Sequence, residues 1–135
     1  MSVATQKTIS ASLPELPVQL TRFVGREREV DELGNLVRTA RLLTLTGAGG
    51  CGKTRLAREV ALRASESFER VAWVDLAPLA DPALLAEHVG IALHVQERAG
   101  PTAIQTLAAT ICDVHMLLVL DNCEHMVEAC AMLSE

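Results

Sequence analysis
The stretch GAGGCGKT, from Gly47 to Thr54, places four glycines in eight residues and matches the pattern G-x-x-x-x-G-K-[ST]. It lies between an apolar run, Leu42 to Thr46, and a segment of helical periodicity that begins at Lys53. Glycines let the backbone curl so that its N–H groups point inward, and the following helix adds the positive end of its dipole. The motif therefore predicts a phosphate-binding loop. The structural alternative is a glycine-rich turn that binds nothing.

Two side chains of this loop and one further motif carry the expected chemistry. We expect Lys53 to reach the β- and γ-phosphates and the hydroxyl of Thr54 to ligate Mg²⁺. In the second motif, LLVLDNCEH at Leu117 to His125, four apolar residues lead into Asp121. A carboxylate at the end of a buried parallel strand lies on the edge where such sheets bind ligands, so Asp121 is expected to hold Mg²⁺ through water. Alone, an Asp at the end of a strand would be ordinary turn chemistry.

The periodicity of the chain predicts an α/β fold with a parallel sheet between helices. Residues 1–20 are rich in Ser, Thr and Pro and predict a flexible lead-in. After it, the predicted order is a helix at 26–38, a buried strand at 42–46, a helix from 53 to about 67, a strand at 71–75, a helix from Asp81-Pro82, a helix after Gly100-Pro101, a strand at 115–120 and a last helix from near Glu124.

Composition excludes several classes of protein. The chain has 135 residues, a net charge of −5 and one Trp, two Phe and no Tyr, so its core must be aliphatic. The sequence has no dense Lys/Arg cluster of the kind that indicates a nucleic-acid-binding surface. It also has no apolar run long enough for a signal peptide or a membrane span. We therefore expect a cytoplasmic protein without direct contact to nucleic acid or membrane. The four cysteines lack metal-site spacing, and Cys123 and His125 alone do not make a metal site. We expect the cysteines to be mostly buried thiols, because free Cys packs like a small hydrophobic residue.

The residues after Asp121 bear on catalysis. Asn122 stands where many fast P-loop ATPases carry a glutamate that polarises the attacking water, and asparagine cannot take a proton. Glu124 is the nearest substitute and the predicted catalytic acid beside Lys53 and Asp121, although a plain acid in the first turn of a helix explains it equally well. A small-GTPase mechanism is disfavoured because small GTPases have a glycine three positions after the metal-binding aspartate, and this chain has Glu124 there.

Four segments together resemble one family. The runs LPELPVQLTRFVGRERE, RLLTLTGAGGCGKTRLAREVA, AWVDLAPLADPALL and LLVLDNCEH resemble, in the same order, the nucleotide-binding module of bacterial STAND ATPases. More narrowly, they are similar to the NB-ARC-like domain of LuxR-type and SARP/AfsR-type transcriptional regulators. The resemblance implies an ASCE-type P-loop NTPase fold and places the FVGRE box over adenine and ribose. The nucleotide contacts that it implies are Val24, Gly25, Arg26, Gly47, Ala48, Gly49, Gly50, Cys51, Gly52, Lys53, Thr54 and Arg55.

The resemblance also implies a switch between ATP and ADP states that slow hydrolysis resets. A timer of this kind does not need fast turnover, which fits Asn122. In the family the module joins a DNA-binding domain and a helical-repeat sensor, and nucleotide-dependent oligomers are a further expectation.

The strand that ends at Asp121 corresponds to the Walker B strand of the family. Related modules continue past this strand, and their next strand lies between the Walker B strand and the strand before the phosphate loop. We therefore expect a fragment, truncated after the Walker B strand and its helix, with a partial P-loop domain at 21–135. Two hypotheses follow for its function. One is a regulatory module whose parent hydrolyses ATP slowly with Mg²⁺. The other is a non-hydrolysing nucleotide-binding scaffold, or an inactive fragment.

Overall fold
The computed structural model describes residue 16, residues 24–96 and residues 100–135. The predicted lead-in at 1–20 lies outside these ranges, apart from residue 16. Within the described residues, helices and two strands follow one another in the predicted order, with one exception given below. Their bounds are α1 Glu27–Thr39, α2 Lys53–Ala64, β1 Arg70–Asp75, α3 Leu85–Ala92, α4 Ala103–Ile111, β2 Met116–Asp121 and α5 Val127–Leu133, with short 3-10 helices at Ser65–Ser67 and Pro82–Leu84.

Local sequence chemistry sets where these helices begin. The carboxylate of Asp81 accepts a hydrogen bond from the Ala83 N–H at 2.9 Å, and Pro82 follows it, as the Asp-Pro pair predicts, although the first turn is 3-10 rather than α. At α4, Thr102 and Gln105 form a reciprocal capping box across the first turn. Helix α2 begins directly after Gly52, whose φ of 87° lies in the left-handed region.

Strands β1 and β2 pair in parallel, and their register places Asp75 opposite Asp121. Because parallel strands end at the same edge of a sheet, both carboxylates stand at the carboxyl edge. The sheet and the helices around it bury the first hydrophobic cluster, which comprises Ala72, Val74, Leu76, Leu85, Val89, Leu93, Leu107 and Met126. A second cluster lies between α1 and α2 and comprises Val30, Leu56 and Val60, with Leu33, Val37 and Leu45 against it.

The predicted strand at 42–46 does not form. These residues lead into the phosphate loop but make no β-ladder, and the sheet of the described residues contains only β1 and β2. Leu42 is 65% exposed, so the expected burial is also wrong there. The physical reason is that a strand needs a partner: apolar residues alone do not form a ladder, and no described segment pairs with 42–46.

The last helix begins at Val127 rather than near Glu124, with buried Met126 immediately before it. Among the described residues, no helix combines the length and the apolar character that crossing a membrane requires.

Candidate functional site
The phosphate loop is a tight turn between an extended segment and α2. Gly50 and Gly52 have φ angles of 77° and 87°, which residues with a side chain adopt only at a cost. The Cys51 N–H closes a turn onto Ala48 O at 3.2 Å. A Cβ added to Gly47 would stand 2.8 Å from Cys51 Sγ, so the loop also folds back on its own first residue. The shape of the loop therefore requires glycine at Gly47, Gly50 and Gly52.

Lys53 lies across this loop. Its Nζ donates hydrogen bonds to Gly47 O at 2.8 Å and to Ala48 O at 3.2 Å. The ammonium group also lies 3.9 Å from Glu124 Oε1. Since an ammonium group is a compact cation with several donors, a phosphate oxygen arriving in the loop would compete with neutral carbonyl oxygens for it. The structure places Lys53 on the loop, and its contact with the phosphates stays a prediction.

The two halves of the predicted metal site meet. Thr54 Oγ1 donates to Asp121 Oδ1 at 3.0 Å, which joins the first turn of α2 to the end of β2 across 67 positions of sequence. Both side chains are partly buried. A hydroxyl and a carboxylate are the hard oxygen ligands that Mg²⁺ prefers, and the remaining ligands of such an ion come from phosphate and water. The donor set therefore fits Mg²⁺, and Thr54 and Asp121 would hold it.

The segment before α1 lies beside the loop. Arg26 Nη1 donates to Cys51 O at 3.2 Å, and the same atom stands 3.6 Å from where a Cβ of Gly52 would be. Its hydrogen bond to Glu29 raises the pKa of the Arg26 guanidinium. Val24 is 76% exposed, and Gly25 has a φ of 90°. The structure thus brings Arg26 to the loop. Arg55 is half-buried in the first turn of α2, and its contact with nucleotide stays a prediction.

Glu124 differs from its predicted setting. It precedes α5 by three residues, so the explanation as a first-turn helix acid is wrong, and Glu128 has that place instead. The side chain of Glu124 is 67% exposed. Nε2 of neighbouring His125 lies 2.7 Å from Leu79 O, which can only accept, so the imidazole donates this bond and links the turn to the loop after β1.

Sequence reasoning missed Asp75. Its Oδ1 accepts from Asn122 Nδ2 at 2.8 Å and from the Ala77 N–H at 2.9 Å. These bonds, that of Asn122 first, hold the pKa of the Asp75 carboxyl below its usual range. The available signal was the pattern itself, since WVD at the end of β1 repeats the apolar-to-Asp ending of LLVLD in β2.

The cysteines are less buried than predicted. Cys51 and Cys112 are exposed, and Cys123 and Cys130 are half-buried. Burial raises the pKa of the Cys130 thiol, with Cys123 beside it as a second cause. In the described ranges, no group of three or more His, Cys, Asp or Glu side chains is arranged to hold a metal.

A glycine-rich loop and its lysine at the start of a helix, facing an aspartate at the carboxyl edge of a parallel sheet, define a P-loop NTPase. A family model described as the AAA ATPase domain matches residues 22–133. The chain therefore belongs to the AAA ATPase domain family, whose α/β P-loop fold binds nucleotide.

Several proteins are similar to this chain, and two of them carry names of regulators. An uncharacterised protein of Mycobacterium tuberculosis is 40% identical over 115 residues, which cover 84% of this chain and 29% of that protein. A putative HTH-type transcriptional regulator of the same species is 43% identical over 93 residues, covering 69% and 10%. The regulatory protein AfsR of Streptomyces coelicolor is 32% identical over 143 residues, covering 90% and 14%. The chain thus spans less than a third of the length of these relatives. No solved structure matches it.

Proposed function
We propose that this chain is the nucleotide-binding core of an ATP/ADP switch of the STAND class, an ASCE-type P-loop ATPase with an NB-ARC-like domain at 21–135. Its parent would be a larger cytoplasmic transcriptional regulator with a DNA-binding domain and a helical-repeat sensor. Two of the similar proteins carry names of regulators, and one of these is of HTH type, which supports the proposal.

The proposal of a nucleotide-dependent switch rests mainly on one observation. The 3.0 Å hydrogen bond between Thr54 and Asp121 joins the phosphate loop to the carboxyl edge of the sheet. Mg²⁺ and the γ-phosphate, bound between them, would contact both sides at once. A ligand that contacts two elements in one state and loses a contact in the other biases the arrangement of those elements. Hydrolysis of the γ-phosphate would remove such a contact, and the two nucleotide states would then differ in structure.

The proposed roles draw on the contacts described above and, for Val24, Gly25 and Arg26, on the family resemblance. Lys53 binds the phosphates, Thr54 and Asp121 hold Mg²⁺, and Arg26, with Val24 and Gly25, lies toward the nucleoside. The backbone from Gly47 to Gly52 and the first turn of α2 with Arg55 surround the phosphates. Glu124, 3.9 Å from Lys53 Nζ, stays the predicted catalytic acid.

Titration of the chain with Mg-ATP and Mg-ADP, followed by thermal unfolding, tests this proposal. A ligand that binds only the folded state adds about 2.7 kcal/mol of stability at a concentration of 100 times Kd, so Tm should rise and saturate. Lys53→Ala should lose most of the rise because it removes the cation. Arg41→Ala, an exposed basic residue before the loop, is the matched control and should keep it. Equal shifts in the wild type and Lys53→Ala would contradict the role of the loop.

A non-hydrolysing scaffold is the second candidate. It is favoured by Asn122, which cannot take a proton, and by the exposure of Glu124. Single-turnover hydrolysis separates the two functions: the switch converts bound ATP to ADP and phosphate, whereas the scaffold retains ATP. Glu124→Gln then tests the predicted catalytic acid.

A further inference from the structure
Asn122 occupies a special position in the backbone. It follows Asp121 directly and has a φ of 58°, in the left-handed region that asparagine tolerates better than most residues. Its N–H donates to Asp121 Oδ1 at 3.0 Å, the same oxygen that accepts from Thr54. The backbone of Asn122 is therefore fixed to the carboxylate that we assign to Mg²⁺.

The side chain of Asn122 is fixed as well. Asp75 Oδ1 lies 2.8 Å from the amide, and an ionised carboxylate can only accept. The amide must therefore present its Nδ2 to Asp75, and the carbonyl Oδ1 faces away from that carboxylate. Asp75 is itself held in place by the Ala77 N–H and by the strand register that sets it opposite Asp121. The low pKa of Asp75 keeps this arrangement unchanged at neutral pH.

We infer that Asn122 orients the water that attacks the γ-phosphate and that Asp75 is the positioning residue that fixes the Asn122 amide. This inference rests on the proposed function. A carboxamide suffices for this role, because some P-loop NTPases use a glutamine side chain to orient the water without accepting its proton. Asn122 Oδ1 accepts a hydrogen bond from the water. The water oxygen bonds to the γ-phosphorus, the bond to the bridging oxygen breaks, and ADP leaves with that electron pair while the water proton passes to the phosphate product. Glu124 is the competing assignment.

Single-turnover hydrolysis of Mg-ATP by the full chain tests the inference, with binding followed separately by thermal shift. Asn122→Gly keeps the left-handed backbone and removes only the amide. We expect it to lower the rate constant by about tenfold or more while Mg-ATP affinity stays nearly unchanged. His94→Gly is the matched control, because His94 is exposed and has a φ of 56°, and it should leave the rate unchanged.

Asp75 variants separate positioning from structure. Asp75→Ala should lower the rate without changing affinity, since the amide then rotates freely. Asp75→Asn should restore part of the rate, because its carbonyl oxygen can still accept from Nδ2. A variant that merely weakened the fold would change Tm and affinity together.

The two failures are distinguishable. Absence of Mg-ATP stabilisation in the wild type would overturn the proposed function and this inference with it. Stabilisation without any turnover would overturn the inference and replace the switch by the scaffold. Turnover at wild-type rates in both Asn122→Gly and Asp75→Ala would overturn the inference alone, above all if Glu124→Gln abolished hydrolysis.

Discussion
At the scale of single residues, the phosphate loop is limited by space as much as by charge. Gly47 starts the loop, and Cys51 Sγ lies where its side chain would be. Gly49, by contrast, has nothing within 4 Å of an added Cβ and no unusual φ. Two glycines of one motif therefore have different reasons to be glycine: Gly47 makes room for a neighbouring sulfur, whereas no steric reason in the described structure applies to Gly49.

This difference predicts that Gly47→Ala weakens Mg-ATP binding and lowers the unfolding free energy by about 1 kcal/mol, the cost of displacing one side chain from its rotamer. Cys51→Ala in the same chain should restore both, because it removes the sulfur that the new methyl group meets. Gly49→Ala is the control for adding a methyl group to the loop. Urea unfolding and nucleotide titration of the four proteins measure the effect. If the double variant remained as weak as Gly47→Ala, the contact with Cys51 would not be the cause.

At the scale of elements, the sequence predicted what depends on neighbours in the chain. The Asp81-Pro82 start, the period of α2 and the apolar-to-Asp ending of β2 are local signals, and the structure confirms the position of each. The expected burial of β2 is wrong, because all its residues are only half-buried. The segment at 42–46 carries an equally good strand pattern but forms no ladder, because pairing depends on a partner far away in sequence. The Asp at the end of β1 is likewise visible in the sequence, but its contact with Asn122 is not, because that contact depends on the register of β1 against β2.

The loop element itself can be tested through its exposed thiol. N-ethylmaleimide should modify Cys51 and Cys112 rapidly, and Cys123 and Cys130 slowly, since the first two are exposed and burial raises the pKa of Cys130. Mg-ATP should slow the reaction of Cys51 severalfold by ordering the loop. Cys112, at the end of α4, is the internal control and should react at the same rate with and without nucleotide. Peptide mass spectrometry over time follows each site. Equal protection of both thiols would indicate a global effect rather than binding at the loop.

At the scale of the whole molecule, the described residues contain two hydrophobic clusters rather than one. The first surrounds the sheet, and the second lies between α1 and α2. Helix α2 also contacts β2, and the bond from Thr54 to Asp121 crosses the same junction. The proposed nucleotide site therefore lies where the two clusters meet, and a bound ligand would strengthen their junction.

Matched substitutions in the two clusters test this coupling. Val60 is 5% exposed and Val89 is fully buried, and truncating either to alanine should cost roughly 1–3 kcal/mol of unfolding free energy. In native-state hydrogen exchange, Val60→Ala should accelerate the amides of α1 and α2, whereas Val89→Ala should accelerate those of β1, β2 and α3. Mg-ATP should suppress the local acceleration in Val60→Ala. Because the ligand is held by both the loop and Asp121, the second cluster can open separately only if the ligand is released, and opening then costs the binding free energy of the ligand as well. If either substitution accelerated exchange at all amides alike without nucleotide, the two clusters would unfold as one cooperative unit. The nucleotide could then not act by strengthening a junction between them.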